Sequence, residues 1–194
     1  MQQRCGWADR NELVMNYHDS EWGVPVYEDQ LLFELLSLEV FQAGLTWSLI
    51  LSRRSALKKG LANFDIDQLA GFSIADTQLL LTDPAMIRNR RKIENVIHNA
   101  RQWQQQQLGE ASPAEQLWAL QRQQPLGLEK ARNDRAKYTF IKQTTALFYE
   151  WGIKGVGPKT ITSFLQAAGF INDHEDNCYR QKEIYLSVHT TGRI

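Results

Sequence analysis

Apolar residues recur along this chain with the spacing of helices rather than strands. In residues 28–43, Leu31, Leu32, Leu35, Leu36 and Leu38 follow a helical repeat. Glu28 and Asp29 stand where a helix start favours acids, and Gly44 stands where the helix would stop. Similar spacing predicts helices over residues 76–81, 113–121, 136–151 and 158–168. Another is predicted over 91–105, with Ile93, Val96, Ile97, Ala100 and Trp103 on one side. No stretch sustains a period of two with β-branched enrichment, so the expected fold class is all-α. The glutamine-rich pieces 102–107 and 121–124 read as solvated helix ends and connections. Residues 179–194 carry no pattern that can be read.

A chain of 194 residues suits one substantial domain, or two lobes sharing a core. With 43% hydrophobic and 23% charged residues the composition is that of a soluble globular protein, which excludes disordered and fibrous classes. No apolar run approaches the length of a bilayer span, and residues 1–10 lack the apolar centre of a signal peptide. A cytoplasmic protein with reduced thiols and no membrane partner is expected. The formal net charge is zero, so any binding to nucleic acid must come from local clusters of Lys and Arg.

The only two cysteines each have a histidine nearby. Cys5 and His18 are separated by twelve residues, and His174 and Cys178 by three. Two thiolates and two imidazoles make a closed tetrahedral set for a structural zinc ion, with no position left for water. The competing reading is two unrelated buried thiols and two ordinary histidines. Pairing at both ends of the chain favours zinc, which would clip the two terminal segments together.

Between two predicted helices lies Gly152-Ile153-Lys154-Gly155-Val156-Gly157-Pro158-Lys159-Thr160. Gly155 and Gly157 would allow positive φ and a close approach to a ligand, and Pro158 suits the first turn of the next helix. Exposed amides at a helix start attract anions. This is the signature of a helix-hairpin-helix, which grips a DNA backbone without reading bases. An ordinary turn between packed helices is the plainer alternative, and Lys154 and Lys159 beside the glycines weigh against it. The basic run Arg88, Arg90, Arg91 and Lys92 is a further set of candidate phosphate contacts.

One carboxylate falls on an apolar face. Leu32, Leu35, Leu36 and Glu39 follow the i, i+3, i+4, i+7 rule, and an acid there costs free energy without a partner or a purpose. Trp7, Tyr17, Trp22 and Trp47 lie nearby in sequence. Aromatic faces plus an acid suit a flat, positively charged base. Equally open from spacing alone is that Glu39 meets an arginine at the helix edge.

Several fixed-spacing motifs resemble the 3-methyladenine DNA glycosylase I family. They are Arg4-Cys5-Gly6-Trp7, the run from Tyr17 to Pro25, Leu38-Glu39, and Gln42-Ala43-Gly44-Leu45-Thr46-Trp47. Ile87-Arg88-Asn89-Arg90 with Lys92-Ile93, Asn99-Ala100, and Asn172-Asp173-His174 with Cys178 complete the match. The resemblance covers about residues 4–178. It implies a helix-hairpin-helix DNA glycosylase fold, one domain over residues 1–194 with two lobes and a zinc site joining the terminal segments. The implied activity is base-excision repair, the hydrolytic release of 3-methyladenine from double-stranded DNA carrying alkylated bases, by a monomer. The implied zinc ligands are Cys5, His18, His174 and Cys178. Glu39 maps to the base pocket and is the candidate catalytic and base-reading residue. Tyr17 and Trp47 would stack on the base, with Trp7 and Trp22 beside them. Leu45 maps to a wedge into the duplex, and Asp173 is read as structural. Two features depart from the family. Residues 125–142 do not follow its Ser/Thr-rich segment, and the hairpin reads Gly155-Val156-Gly157-Pro158-Lys159 where relatives carry Phe-Val-Gly and threonines. Lys159 thereby resembles the Schiff-base lysine of bifunctional relatives such as endonuclease III. Lyase chemistry through Lys159 and a non-enzymatic zinc-containing DNA-binding module are therefore the alternatives, and a phosphate contact is the expected role of Lys159.

Overall fold

A computed structural model of the protein describes residues 3–123 and 134–191. Every regular element among the described residues is helical. In chain order the α-helices are α1 (Glu12–Ser20), α2 (Asp29–Gln42), α3 (Trp47–Gly60), α4 (Ile66–Ala70), α5 (Ile74–Thr82) and α6 (Arg90–Gln107). They continue with α7 (Pro113–Arg122), α8 (Asp134–Glu150), α9 (Pro158–Ala167) and α10 (Tyr179–Thr191). No helix among the described residues is long and apolar enough to cross a membrane.

Helix α2 is the axis of the molecule. Every residue from Leu32 to Phe41 is buried, because α3, α6, α7 and α9 all pack against it. A helix surrounded in this way has no polar face along its middle. The stripe that seemed to single out Glu39 is therefore part of a fully enclosed segment, which also buries Glu34 and Ser37. Glu34 is neutralised by α3: it accepts from Arg54 Nε at 2.9 Å and Lys58 Nζ at 2.8 Å. The far end of α2 is closed by Lys92, whose Nζ donates to the carbonyls of Phe41 and Ala43, both at 2.6 Å. A cation on the last carbonyls of a helix satisfies groups that have no partner within the helix itself.

The predicted helices are present, and α5, α6 and α7 begin on a residue whose side chain caps them. Asn89 caps α6, Ser73 and Ser112 form capping boxes with Asp76 and Glu115, and Pro113 and Pro158 open α7 and α9. Helices α1, α3, α4 and α10 are additional. Helix α3 buries only Ile50 and Leu57, two full turns apart, so its sequence carries almost no stripe. Helix α10 begins beside Cys178 and buries Gln181 and Ile184. Of the glutamine-rich pieces, the first is the last turn and a half of α6; Gln121 is buried, and Gln124 lies outside the described residues. The segment 125–142, which departs from the family pattern, is described only from residue 134 onward, as the start of α8.

Candidate active site and metal centre

A cavity of about 230 Å³ opens between α1, α2, α3 and α9. It is lined by Trp7, Tyr17, Trp22, Glu39, Gln42, Trp47, Ser163 and Gln166. All five residues expected at a base pocket meet here. Tyr17 comes from the last turn but one of α1, Glu39 from the buried stretch of α2, and Trp47 from the first position of α3. The rings of Tyr17 and Trp47 lie 5.1 Å apart and tilted by 54°. Those of Trp7 and Trp22 meet edge to face at 4.8 Å.

The electrostatics of this cavity are unlike those around Glu34. No hydrogen bond or ion pair among the described residues reaches the Glu39 carboxyl, and burial pushes its pKa from 4.5 up to about 8. The arginine considered for it at the helix edge is absent; Arg54 is engaged by Glu34 and Glu21. Tyr17 Oη and Trp47 Nε1 are also buried without a partner. Burial, with the neighbouring Glu39, holds the Tyr17 phenol well above its ordinary value. Leaving polar groups unpaired costs each of them about 1–3 kcal/mol. Three such groups on one cavity form a site that is stabilised when something flat and polar fills it.

On the other side of Trp7 and Trp22 lies a second cluster. The ligand atoms of Cys5, His18, His174 and Cys178 all sit within 4.8 Å of one another, and all four residues are buried. Cys5 Sγ is 3.5 Å from His174 Nδ1, and Cys178 Sγ is 3.4 Å from His18 Nε2 and 3.5 Å from His174 Nδ1. The opposite ring nitrogens are engaged. His18 Nδ1 meets Asp19 Oδ1 at 2.8 Å, and His174 Nε2 meets the Trp22 carbonyl at 3.1 Å. Asp19 is itself held by the Arg4 guanidinium, which brings its carboxyl down to about 2. Outer partners of this kind fix imidazole tautomers and orientation at metal sites. Burial, with the neighbouring Cys178, pushes the Cys5 thiol up to about 12, and burial, with His18 beside it, brings His174 down to about 4. A thiolate at such a depth calls for a cation, so the group could hold a metal ion. The two sites share a wall: His18 touches Trp7 at 5.2 Å, and His174 touches Trp22 at 4.5 Å.

The hairpin joins α8 to α9. Gly155 has φ +77°, as expected, and a Cβ there would come within 2.6 Å of Asn95 Nδ2. Gly157 does not: it has φ −129°, as the extended N-cap of α9, and a Cβ would meet nothing within 4 Å. Its smallness leaves open space at the helix start rather than permitting a left-handed turn. The hairpin is pinned to α6 by Asn99, whose Nδ2 donates to the Lys154 carbonyl and whose Oδ1 accepts from the Lys154 amide. Lys154 and Lys159 are exposed. A groove beside them is lined by Asn89, Arg91, Lys92, Asn95 and the Gly155-Val156-Gly157 backbone, among others. Lys92 is not a free cation for that groove, since its Nζ closes α2, and Arg90 pairs with Glu94 at 3.3 Å. Arg88 and Arg91 are exposed. Leu45 sits partly buried in the turn after α2, where its amide donates to Gln42 and its carbonyl accepts from the Gln42 side chain.

Sequence reasoning missed Gln42, Ser163 and Gln166 as cavity residues. The latter two lie four and seven positions after Lys159, one face of α9 running from the hairpin to the cavity, and that spacing was the available signal. Asp173 accepts from Lys137 Nζ at 2.7 Å and from Gln166 Nε2.

Comparison with known proteins matches residues 7–181 to the methyladenine glycosylase family. DNA-3-methyladenine glycosylase 1 of Escherichia coli (strain K12) is 34% identical over 179 residues, covering 91% of this chain and 95% of that protein. A DNA-3-methyladenine glycosylase of Haemophilus influenzae is 27% identical over 180 residues, covering 92% and 97%. A crystal structure of a variant 3-methyladenine DNA glycosylase I in complex with 3-methyladenine superimposes with a TM-score of 0.82 at 29% identity, covering 92% and 97% of the two chains.

Proposed function

This chain belongs to the methyladenine glycosylase family, and from that premise we propose that it excises 3-methyladenine from alkylated double-stranded DNA. The observation that carries the reading is the convergence of Glu39, Tyr17 and Trp47, each with an unpaired polar group, on one aromatic cavity.

Methylation at N3 leaves the adenine cationic and its glycosidic bond weak. The enzyme extrudes the nucleotide at a cost of a few kcal/mol, smaller for a damaged base, and ring stacking in the cavity offsets it. Tyr17 and Trp47 receive the base faces, and Trp7 and Trp22 close the side. Glu39 accepts hydrogen bonds from the adenine edge. A positive base also draws its carboxyl toward the ionised form, so Glu39 is neutral in the free protein near pH 7 and charged around its ligand. The bond breaks with its electron pair leaving on the base, which neutralises it. Water adds to the sugar C1′ and surrenders a proton to the surrounding solvent. Little general acid is needed for so good a leaving group.

The two lobes of one domain hold the duplex through the hairpin. Amides at the start of α9, with Lys154, Lys159 and Arg91 near the same groove, meet backbone phosphates. Leu45 enters the space vacated by the flipped nucleotide. The cluster of Cys5, His18, His174 and Cys178 fits zinc. Bonds of about 2.3 Å to sulfur and 2.0–2.1 Å to nitrogen at tetrahedral angles separate neighbouring S and N atoms by roughly 3.5 Å, and three such pairs stand at 3.4–3.5 Å. When bound there, zinc supplies structural cross-linking and no reactive position. The ligands themselves hold Trp7 and Trp22 against the cavity.

The test is release of free base from methylated DNA by the purified protein. The wild type releases 3-methyladenine, and Glu39→Gln and Glu39→Ala release it progressively more slowly while remaining folded. Wild-type rates in both folded variants would move the reading site elsewhere.

A further inference from the structure

Gln166 lines the cavity from the last turn of α9, yet its side-chain nitrogen is turned out of it toward Asp173. Asp173 is held in place by Lys137 of α8 at 2.7 Å. Paired with a lysine, the Asp173 carboxylate can only accept hydrogen bonds. It therefore fixes which way the Gln166 amide lies: Nε2 to the carboxylate, and Oε1 away from it. The reverse orientation would set two acceptors against each other. The backbone delivers this contact through a turn that only glycine allows. Gly169 has φ +74°, and a Cβ on it would lie 2.4 Å from the Pro25 nitrogen. The turn folds residues 170–174 back along α9, which brings Asp173 to Gln166 and His174 to the metal cluster.

We propose that Gln166 is a specificity-determining residue that presents its side-chain carbonyl to the flipped base, with Asp173 and Lys137 as positioning residues that set its orientation. The inference rests on the reading of this cavity as a base pocket and deepens it. Adenine carries an N6 amino donor where guanine carries an O6 acceptor. A fixed carbonyl oxygen accepts from the first and repels the second. The amino group has two hydrogens, one for the Glu39 carboxyl and one for Gln166 Oε1. Gln166 thus adds discrimination against 3-methylguanine, whose O6 would face a fixed acceptor there rather than a donor.

The experiment compares release of 3-methyladenine and 3-methylguanine from methylated DNA by the full-length protein. Gln166→Met keeps the length of the side chain and removes the carbonyl. The expected result is a fall of about tenfold in kcat/KM for 3-methyladenine, the size of one lost hydrogen bond. Release of 3-methylguanine should stay level or rise. Asp173→Ala and Lys137→Met should shift the ratio in the same direction, and each should add little in the Gln166→Met background. Metal content is measured in each variant, because Asp173 adjoins His174; Lys137→Met separates orientation from metal loss. An unchanged ratio in Gln166→Met, or equal losses on both bases, overturns the selectivity role. Wild-type behaviour of folded Lys137→Met and Asp173→Ala overturns the positioning role. If the wild type releases neither base, it is the assignment of the cavity that falls instead.

Discussion

Replacing Glu39 by Gln should stabilise the free protein, by an amount that depends on pH in a way no other single group imposes. The folded carboxyl stands at about 8 against 4.5 for an ordinary glutamate, because it is buried without a partner. Below about pH 4.5 it is protonated in both the folded and unfolded states and burial carries no ionisation penalty. As pH rises toward 8, the unfolded chain gains by releasing the proton while the folded protein must keep it. Wild-type stability is lost across this window, and above about 8 the penalty is complete. Each pH step corresponds to about 1.4 kcal/mol, so the loss between pH 5 and pH 8 is about 4 kcal/mol. Glutamine carries a burial cost of its own, about 1–3 kcal/mol, but that cost does not vary with pH. The quantity to follow is therefore the difference between the two proteins at each pH. Other titrating groups are common to both and cancel. For a protein of this length about 1 kcal/mol moves Tm by about 2–4 °C, so the gap in Tm should widen by roughly 8–16 °C from pH 5 to pH 8 in favour of Gln. Thermal unfolding of both proteins at four pH values is sufficient. A gap that stays constant with pH, or that narrows, would refute a buried, unpaired Glu39.

Four further outcomes are expected. Cys178→Ala should remove the metal and destabilise the fold, since structural metal binding contributes directly to folding free energy; metal analysis showing no zinc in the wild type, or undiminished zinc in the variant, contradicts the site. Lys92→Met should destabilise by about 1–3 kcal/mol by uncapping α2, without changing how DNA affinity depends on salt; a reduced salt slope at normal stability would return Lys92 to the phosphate contacts. DNA binding by the wild type should weaken steeply as salt rises and vary little with sequence, and borohydride should trap no covalent adduct; a trapped adduct that disappears in Lys159→Ala would establish lyase chemistry.

The grouping of Cys5, His18, His174 and Cys178, which could hold a metal ion, was legible because the two cysteines of this chain each stand near a histidine. The aromatic pocket was legible in part. Tyr17, Trp47 and Glu39 belong to recognisable motifs, but the argument that isolated Glu39 was local periodicity, whereas α2 is enclosed on every side and buries Glu34 as well. What distinguishes the two acids is tertiary: Arg54 and Lys58 reach one, and no hydrogen bond or ion pair among the described residues reaches the other. Lys92 looked like a phosphate ligand because charge in a sequence carries no direction, and its position under the end of α2 exists only once the helices pack. Helix α3 escaped notice because two buried residues, Ile50 and Leu57, do not make a stripe. Gln166 is one of many glutamines here, and nothing local says that Asp173 will turn it.

The cluster also dictates an order of events during synthesis. Cys5 and His174 lie 169 positions apart, so a growing chain carries only half of this Cys/His group through almost the whole of translation. Cys5 and His18 alone do not complete the group, and the wall of the aromatic cavity leans on one of the two later residues, His174, through Trp22. The helical centre can collapse around α2 while the ends remain untied, since the residues that enclose it all precede Asn172. Closure of this group is then a late step, and it sets His174 against Trp22 at the cavity wall in the same event. A chain whose last segment has not docked would hold the hairpin and much of the core without a finished cavity.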